Sequence, residues 1–290
     1  MSLMEGKVVL ITGATNGIGE VTARELAFMG AEVIIVGRNR ERCLATVERI
    51  QKHTGRSNVS FIVADLSKMN DVRQVAQEFL STHDQLHVLI NNAGAMYAHR
   101  QVTEDGYEMM LALNHLSYFL LTHLLLDVLK KTAEKDGEAR VVNVASEAHR
   151  FAKGIDFDDL QREKRFGLGI YNETKLMNIM FTYDLVERLR GTKVTANSLH
   201  PGLVRSGFGK NNNIFVAAFW TLSQFFAGIS VEEGAQTSIY LASSPDVRGI
   251  SGRYYELKKE RRSTAISYNL ADRKRLWQIS EALTHIAPNT

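Results

Sequence analysis

Six short runs, Val8 to Thr12, Glu32 to Val36, Val59 to Ala64, His87 to Asn91, Val141 to Ala145 and Val194 to Leu199, are apolar almost from end to end, and a helix-length segment separates each from the next. A strand with one wet face alternates apolar and polar residues, whereas a strand covered on both faces has no polar side to show. Parallel neighbours also need a long crossover, usually a helix. Runs of this kind in this order therefore specify an α/β chain with a doubly wound parallel sheet. Gly252 to Glu256 reads as a further strand, for about seven in all. Helices are expected from Gly17, from Asn39, from near Ser67, over Glu108 to Lys131, and around Tyr171 to Lys175.

No linker rich in Pro, Gly or Ser and no low-complexity block divides the 290 residues, and 44% hydrophobic content supports a full core, so residues 1–290 read as a single domain. The charges are mixed along the chain, 35 basic against 32 acidic for a net +3, which argues against a nucleic-acid partner. Cys43 is the single cysteine and forms no intrachain disulfide, which suits a reducing compartment and a cytoplasmic location. The nine histidines show no metal-ligand spacing, so no metal is expected, and for His149 and His200 packing or hydrogen bonding is favoured over catalysis. The segment Met1 to Met4 runs almost directly into the first strand, which reads as leaving no room for a signal peptide or anchor.

Between the first strand and the first helix lies Thr12-Gly13-Ala14-Thr15-Asn16-Gly17-Ile18-Gly19. Glycines at such a turn let the backbone approach a pyrophosphate at a helix N-terminus, where free N–H groups and the helix dipole favour an anion. The spacing G-x-x-x-G-x-G after "VVLIT" resembles the short-chain dehydrogenase/reductase family, with its Rossmann fold and nicotinamide cofactor. At the end of the second strand, where a carboxylate usually meets a free ribose 2′-hydroxyl, the chain has Gly37 and then Arg38, Arg40 and Arg42. Arginine pairs with a 2′-phosphate that a carboxylate would repel, so NADP(H) is the favoured cofactor and Arg38 its main contact. Arg40 and Arg42 read equally well as solvated helix residues. Asn16 stands where NADP-preferring members often carry a second basic residue, which leaves NAD(H) open as an alternative. By the same resemblance Asp65 and Leu66 sit at the adenine, and Asn91-Asn92-Ala93-Gly94 matches the NNAG motif along the cofactor.

"YNETK" places Tyr171 and Lys175 four residues apart, on one face of a helix. A phenol with a pKa near ~10 needs a neighbouring cation before it exchanges protons at neutral pH, and Lys175 supplies one. Alone, the pair is ambiguous, since surface helices often carry both residues. Ser146 follows the fifth strand twenty-five residues earlier, Asn114 lies in the helix after NNAG, and the four match the Asn-Ser-Tyr-Lys tetrad of the family. The resemblance gives Tyr171 the proton, Ser146 the carbonyl oxygen, Lys175 the nicotinamide ribose, and Asn114 a water joining Lys175 to solvent. Ala145 and Thr174 replace frequent serines, without removing a tetrad member. "HPGLVRS" matches the segment after the sixth strand, putting Pro201, Gly202, Val204 and Ser206 beside the cofactor.

"NVASEAH" at 143–149, "GAQTSIYLASSP" at 234–245, "SGRYY" at 251–255 and "RLWQISEAL" at 275–283 resemble the retinol dehydrogenase-like branch, whose animal members often carry an N-terminal anchor. Residues 203–230 are expected to form a substrate lid. From Asn211 to Val231 there is no charge, and Phe215, Phe219, Leu222, Phe226 and Ile229 recur at helical spacing. Core or dimer packing and interfacial membrane contact are the other readings of this stretch; a transmembrane span would tear the sheet apart. Residues 257–290 form a C-terminal extension, and Lys258 to Arg262 reads as a solvated loop. The expected activity is NADP(H)-dependent hydride transfer to or from an apolar aldehyde, ketone or alcohol, retinoid-, steroid- or lipid-like. The alternative is an NADPH-binding regulatory protein with little turnover. A homo-oligomer is left open.

Overall fold

The computed structural model describes residues 3–167, 169–204 and 228–287. Eight strands form one sheet in the order β3-β2-β1-β4-β5-β6-β7-β8. They are β1 Val8–Thr12, β2 Glu32–Gly37, β3 Val59–Val63, β4 Val88–Asn91, β5 Ala139–Val144, β6 Val194–His200, β7 Tyr254–Glu256 and β8 Lys259–Arg261. The first seven are parallel, and β8 returns antiparallel to β7. The count exceeds the sequence expectation by one because the basic run expected to be a loop pairs as β8. Its side chains are exposed, as an edge strand tolerates.

Residues alternate between two cores along β2: Val33 and Ile35 face one side of the sheet, Ile34 and Val36 the other. That is why the run shows no polar period. Helices α1 (Gly17–Phe28) and α2 (Arg40–Thr54) cover one face, joined by α8 (Val231–Ser243). The other face is covered by α3 (Met69–Thr82), α5 (Ser117–Leu124), α6 (Leu126–Asp136) and α7 (Gly169–Arg188). The chain winds outward from β1 through β3 and then restarts at β4 on the other side of β1. This reversal opens a crevice at the carboxyl ends of β1 and β4, where ligands of such sheets bind.

The single helix expected over Glu108 to Lys131 is broken. It runs as α4 (Met109–Leu111), a π-helical turn Ala112–Leu116, α5 and α6, with a bend of 55° where α5 gives way to α6. Neither Pro nor Gly marks the bend; Leu125 takes φ −101°, ψ 3° there. The bend lets α5 pack on α3 while α6 turns onto β5 and β6. Among the described residues no single helix is long and apolar enough to cross a membrane.

The C-terminal extension closes the second core. In α9 (Leu270–Thr284) Trp277 is 2% exposed, 5.0 Å from the Phe119 ring and 5.9 Å from that of Phe181, with the Arg188 guanidinium 3.9 Å above it. Ser206, Phe215, Phe219, Leu222 and Phe226 lie outside the described residues, and with them most of the expected lid. Its two ends meet: Val204 pairs with Ile229, whose amide donates to Leu203 O at 2.8 Å.

Candidate active site

Helix α1 starts without a side-chain cap, unlike α2, α8 and α9, whose caps are Asn39, Ser230 and Asn269. Its first-turn N–H groups thus face the crevice with no side-chain cap, which suits an anion. The glycine turn is held against the end of β4. A Cβ on Gly13, whose φ is +66°, would lie 2.7 Å from Ala93 Cα, so no other residue fits. Asn92 Nδ2 donates to Thr12 O (2.8 Å) and Gly13 O (3.0 Å), while Thr12 Oγ1 accepts from the amides of Asn92 (2.8 Å) and Ala93 (3.0 Å). Thr12, which the sequence reading passed over, is therefore the pin between turn and motif.

At the end of β2 a Cβ on Gly37 would meet Thr15 Cγ2 at 2.5 Å and Cys43 Sγ at 2.8 Å, leaving no room for a carboxylate. Arg38, next along, is exposed and forms no ion pair among the described residues, whereas Arg40 lies over the Phe61 ring at 5.5 Å. Asp65 Oδ1 accepts from Ser67 N (3.1 Å) and Ser67 Oγ (2.8 Å), and Leu66 is buried.

Three elements supply the four residues of the tetrad. Ser146 ends the loop after β5, and its Oγ accepts from Ala148 N at 3.2 Å. It also hydrogen-bonds Tyr171, near the start of α7. One turn further, Lys175 is 3% exposed; its Nζ donates to Val144 O at 3.0 Å and lies 5.7 Å from the Tyr171 ring and 5.8 Å from that of Tyr118. Burial pushes the Tyr171 phenol up to about 12, with the Ser146 hydrogen bond opposing it. The same burial pulls the Lys175 ammonium down to about 7.

The π-helical turn presents Asn114 from the far side. Its Oδ1 accepts from Ala95 N (2.8 Å), and its Nδ2 donates to Ala95 O (2.9 Å) and Thr174 Oγ1 (3.1 Å). Both amide hydrogens are committed, so only acceptor atoms of Asn114 are left for the expected water. Thr174 in place of serine keeps that bond. Behind the site Asn91 donates to Asn143 (2.8 Å) and Asn143 to Thr182 (2.9 Å), a buried polar ladder across the sheet. Its signal was available: Asn143 is the one polar residue inside "VVNV".

His200 Nδ1 accepts from Glu147 N (3.0 Å) and Gly202 N (3.3 Å), joining the loop after β5 to the one bearing Pro201, Gly202 and Val204. One imidazole nitrogen and carboxylate oxygens of Glu147 and Glu256 lie within 4.8 Å of one another, a metal-like grouping. With Nδ1 accepting from amides, Nε2 carries the proton of the neutral ring and offers a metal no lone pair. Beside Tyr171, Met96, Tyr97, Met110 and Ile170 form an apolar cluster with Met109 and Phe166.

Residues 7–215 match the model of the short chain dehydrogenase family. Human retinol dehydrogenase 14 is 41% identical over 97% of this chain and 87% of its own length. Human retinol dehydrogenase 12 is 42% identical over 96% and 86%. Among solved structures, the RhlG/NADP active-site complex of Pseudomonas aeruginosa superposes with a TM-score of 0.69 at 26% identity, covering 87% of this chain and 95% of that one.

Proposed function

The chain belongs to the short-chain dehydrogenase/reductase family, and from that premise we propose that it is an NADP(H)-dependent oxidoreductase acting on an apolar carbonyl or the corresponding alcohol. The observation that carries the reading is the convergence of Ser146, Tyr171, Lys175 and Asn114 beside an uncapped glycine-turn helix. The residues fit a dinucleotide: the start of α1 takes the pyrophosphate, Asp65 and Leu66 the adenine, Asn92 to Gly94 the length of the cofactor, and Arg38 the 2′-phosphate. When bound, the nicotinamide supplies or takes the hydride.

Tyr171 gives its phenolic proton to the carbonyl oxygen in reduction and takes it back in oxidation. Ser146 donates to the same oxygen, its Oγ oriented by the Ala148 amide. Lys175 lies one turn along the same helix face, where its charge stabilises the phenolate left behind. An apolar substrate is supported by the Met- and aromatic-rich cluster against Tyr171, since methionine adapts to irregular apolar shapes, and by the retinol named for both human relatives.

The test follows loss of NADPH against long-chain, aromatic, retinoid and steroid carbonyls. Turnover with at least one apolar class is expected. Tyr171→Phe keeps the ring but not the proton and should lower turnover by ~10²-fold or more with cofactor binding nearly intact. Near-parental turnover in that variant removes Tyr171 from the mechanism.

A further inference from the structure

His149 lies in the 3-10 turn Glu147–Phe151 after β5 and is fully buried. Its Nδ1 is 2.7 Å from Ser146 O, and its Nε2 is 3.2 Å from the Thr264 amide nitrogen. An amide N–H only donates, so Nε2 is the bare nitrogen and the ring proton sits on Nδ1, given to Ser146 O. The ring packs edge-on against Tyr254, centroids 5.0 Å apart. The segment carrying Thr264 is itself tied down. Ser263 Oγ bonds the Tyr183 hydroxyl and Ser267 Oγ, each at 2.7 Å, and Arg150 donates to Arg262 O at 2.8 Å.

We propose that His149 is a positioning residue: its neutral ring clamps the Ser146 backbone to the C-terminal segment Arg262–Thr264 and so sets where Ser146 Oγ points, and protonation of the ring opens the clamp. The proposal rests on the reading of Ser146 and Tyr171 as the reacting pair. An imidazolium carries two donors, so its new N–H would face the Thr264 N–H with no acceptor between them. The groups facing the ring are Glu147 and Arg150 on its own turn, His200 at the end of β6 and Tyr254 on β7. Burial comes first in holding the ring below the ordinary histidine range, with Arg150 and His200 adding to it and Ser146 O and Glu147 opposing.

An acid limb in carbonyl reduction is the distinctive consequence. Acid favours the phenol of Tyr171 and the ammonium of Lys175, the forms that reduction uses, so a fall in turnover on acidification has another origin. His149→Gln keeps one donor and one acceptor without titrating, and His149→Phe keeps the ring's shape with neither. Thr264→Pro removes the amide donor at a residue whose φ of −60° already suits proline.

In the full-length enzyme with NADPH, His149→Phe and Thr264→Pro should lower kcat roughly tenfold to hundredfold with the KM for NADPH little changed, the scale of a misplaced reacting group. His149→Gln should retain most turnover and lose the acid limb. Hydrogen exchange at the Thr264 amide gives a second readout that needs no substrate: its protection relative to the unstructured rate at the same pH should be high in the parent at neutral pH, lower on acidification, and low at both in His149→Phe. A parental acid limb in His149→Gln would assign it elsewhere, His200 first, and overturn the proposal. So would parental kcat in Thr264→Pro, which carries the test if His149→Phe does not fold. A Thr264 protection factor that stays high and unchanged on acidification also overturns it, whereas absence of turnover alone would count against the proposed activity and leave the clamp to the exchange measurement.

Discussion

In the proposed mechanism Lys175 sets function against stability. Burial lowers its pKa from the ordinary 10.5 to about 7 in the folded chain, so the ammonium is less welcome there than in the unfolded chain. Below pH 7 the lysine is charged in both states and the folded protein carries the whole desolvation cost. Between pH 7 and 10.5 the unfolded chain binds the extra proton, so stability rises with pH until the cost is gone. Lys175→Met removes the charge and the nearest donor to Val144 O, leaving that carbonyl to the Tyr118 hydroxyl and Asn178 Nδ2, each at 3.5 Å, which costs up to about 1–3 kcal/mol. A net gain of roughly 1–3 kcal/mol at pH 7, shrinking toward pH 10, is expected from denaturant titrations without cofactor, together with loss of activity. Lower stability at pH 7 would mean that the ammonium is better solvated than its burial implies. Arg38 is the opposite case, an exposed charge to which the proposed function assigns the 2′-phosphate. Arg38→Ala should weaken NADPH binding by ~1.5–3 kcal/mol and leave NADH almost unaffected, as calorimetric titration with each cofactor would show. Equal losses would point to general destabilisation.

At the scale of elements, the parallel strands could be read from the sequence because two-sided burial forbids a polar period, and Tyr171 and Lys175 because a helix puts residues four apart on one face. The break at Leu125 could not: a bend made without Pro or Gly leaves no mark in the chain, and an apolar run from Met109 onward fits one helix as well as four pieces. The hairpin of β7 and β8 was hidden for another reason. Its turn holds Leu257 and Lys258 at φ +49° and +62°, a conformation that favours Gly or Asn, so the usual turn signal is missing. Thr12 and the Asn91–Asn143 ladder act through bonds between distant strands, which no local pattern encodes. The tryptophan of α9 drew notice only as part of a family-like string, yet it joins Phe119 and Phe181 in one aromatic cluster. Trp277→Ala should therefore cost about 3–5 kcal/mol of unfolding free energy, the range for emptying a large aromatic site. Turnover per folded molecule should be unchanged at temperatures below the transition. A loss under 1 kcal/mol would show that α9 is a detachable cover.

For the molecule as a whole, acid is the condition that its buried histidines make dangerous. His87, His115, His123, His149 and His200 are all pulled below the ordinary imidazole value, with burial the leading cause in each and His115 taken down to about 3. Two of them are bound as neutral rings in the same way, His87 Nδ1 accepting from Val8 N at 2.9 Å and His200 Nδ1 from Glu147 N at 3.0 Å. A histidine whose folded pKa is depressed protonates first in the unfolded chain, so stability falls as pH drops through the unfolded value near ~6.5. Glu108 works the other way: burial raises its carboxyl, the folded chain takes that proton first, and acidification stabilises it by one group. Asp136, lowered by its hydrogen bond to His87, adds to the loss only at still lower pH. The histidines outnumber the one opposing carboxylate, so unfolding should take up protons near pH 5.5, about one of them at His115, and the unfolding free energy should fall from pH 7 to pH 5, by about 2 kcal/mol through His115 alone. Denaturant titrations across that range, with calorimetry in buffers of different ionisation enthalpy to count the protons, would measure both. His115→Gln should flatten the slope by no more than one proton. A free energy level from pH 7 to pH 5 would mean that water reaches these rings in the folded protein and that their burial does not govern its response to acid.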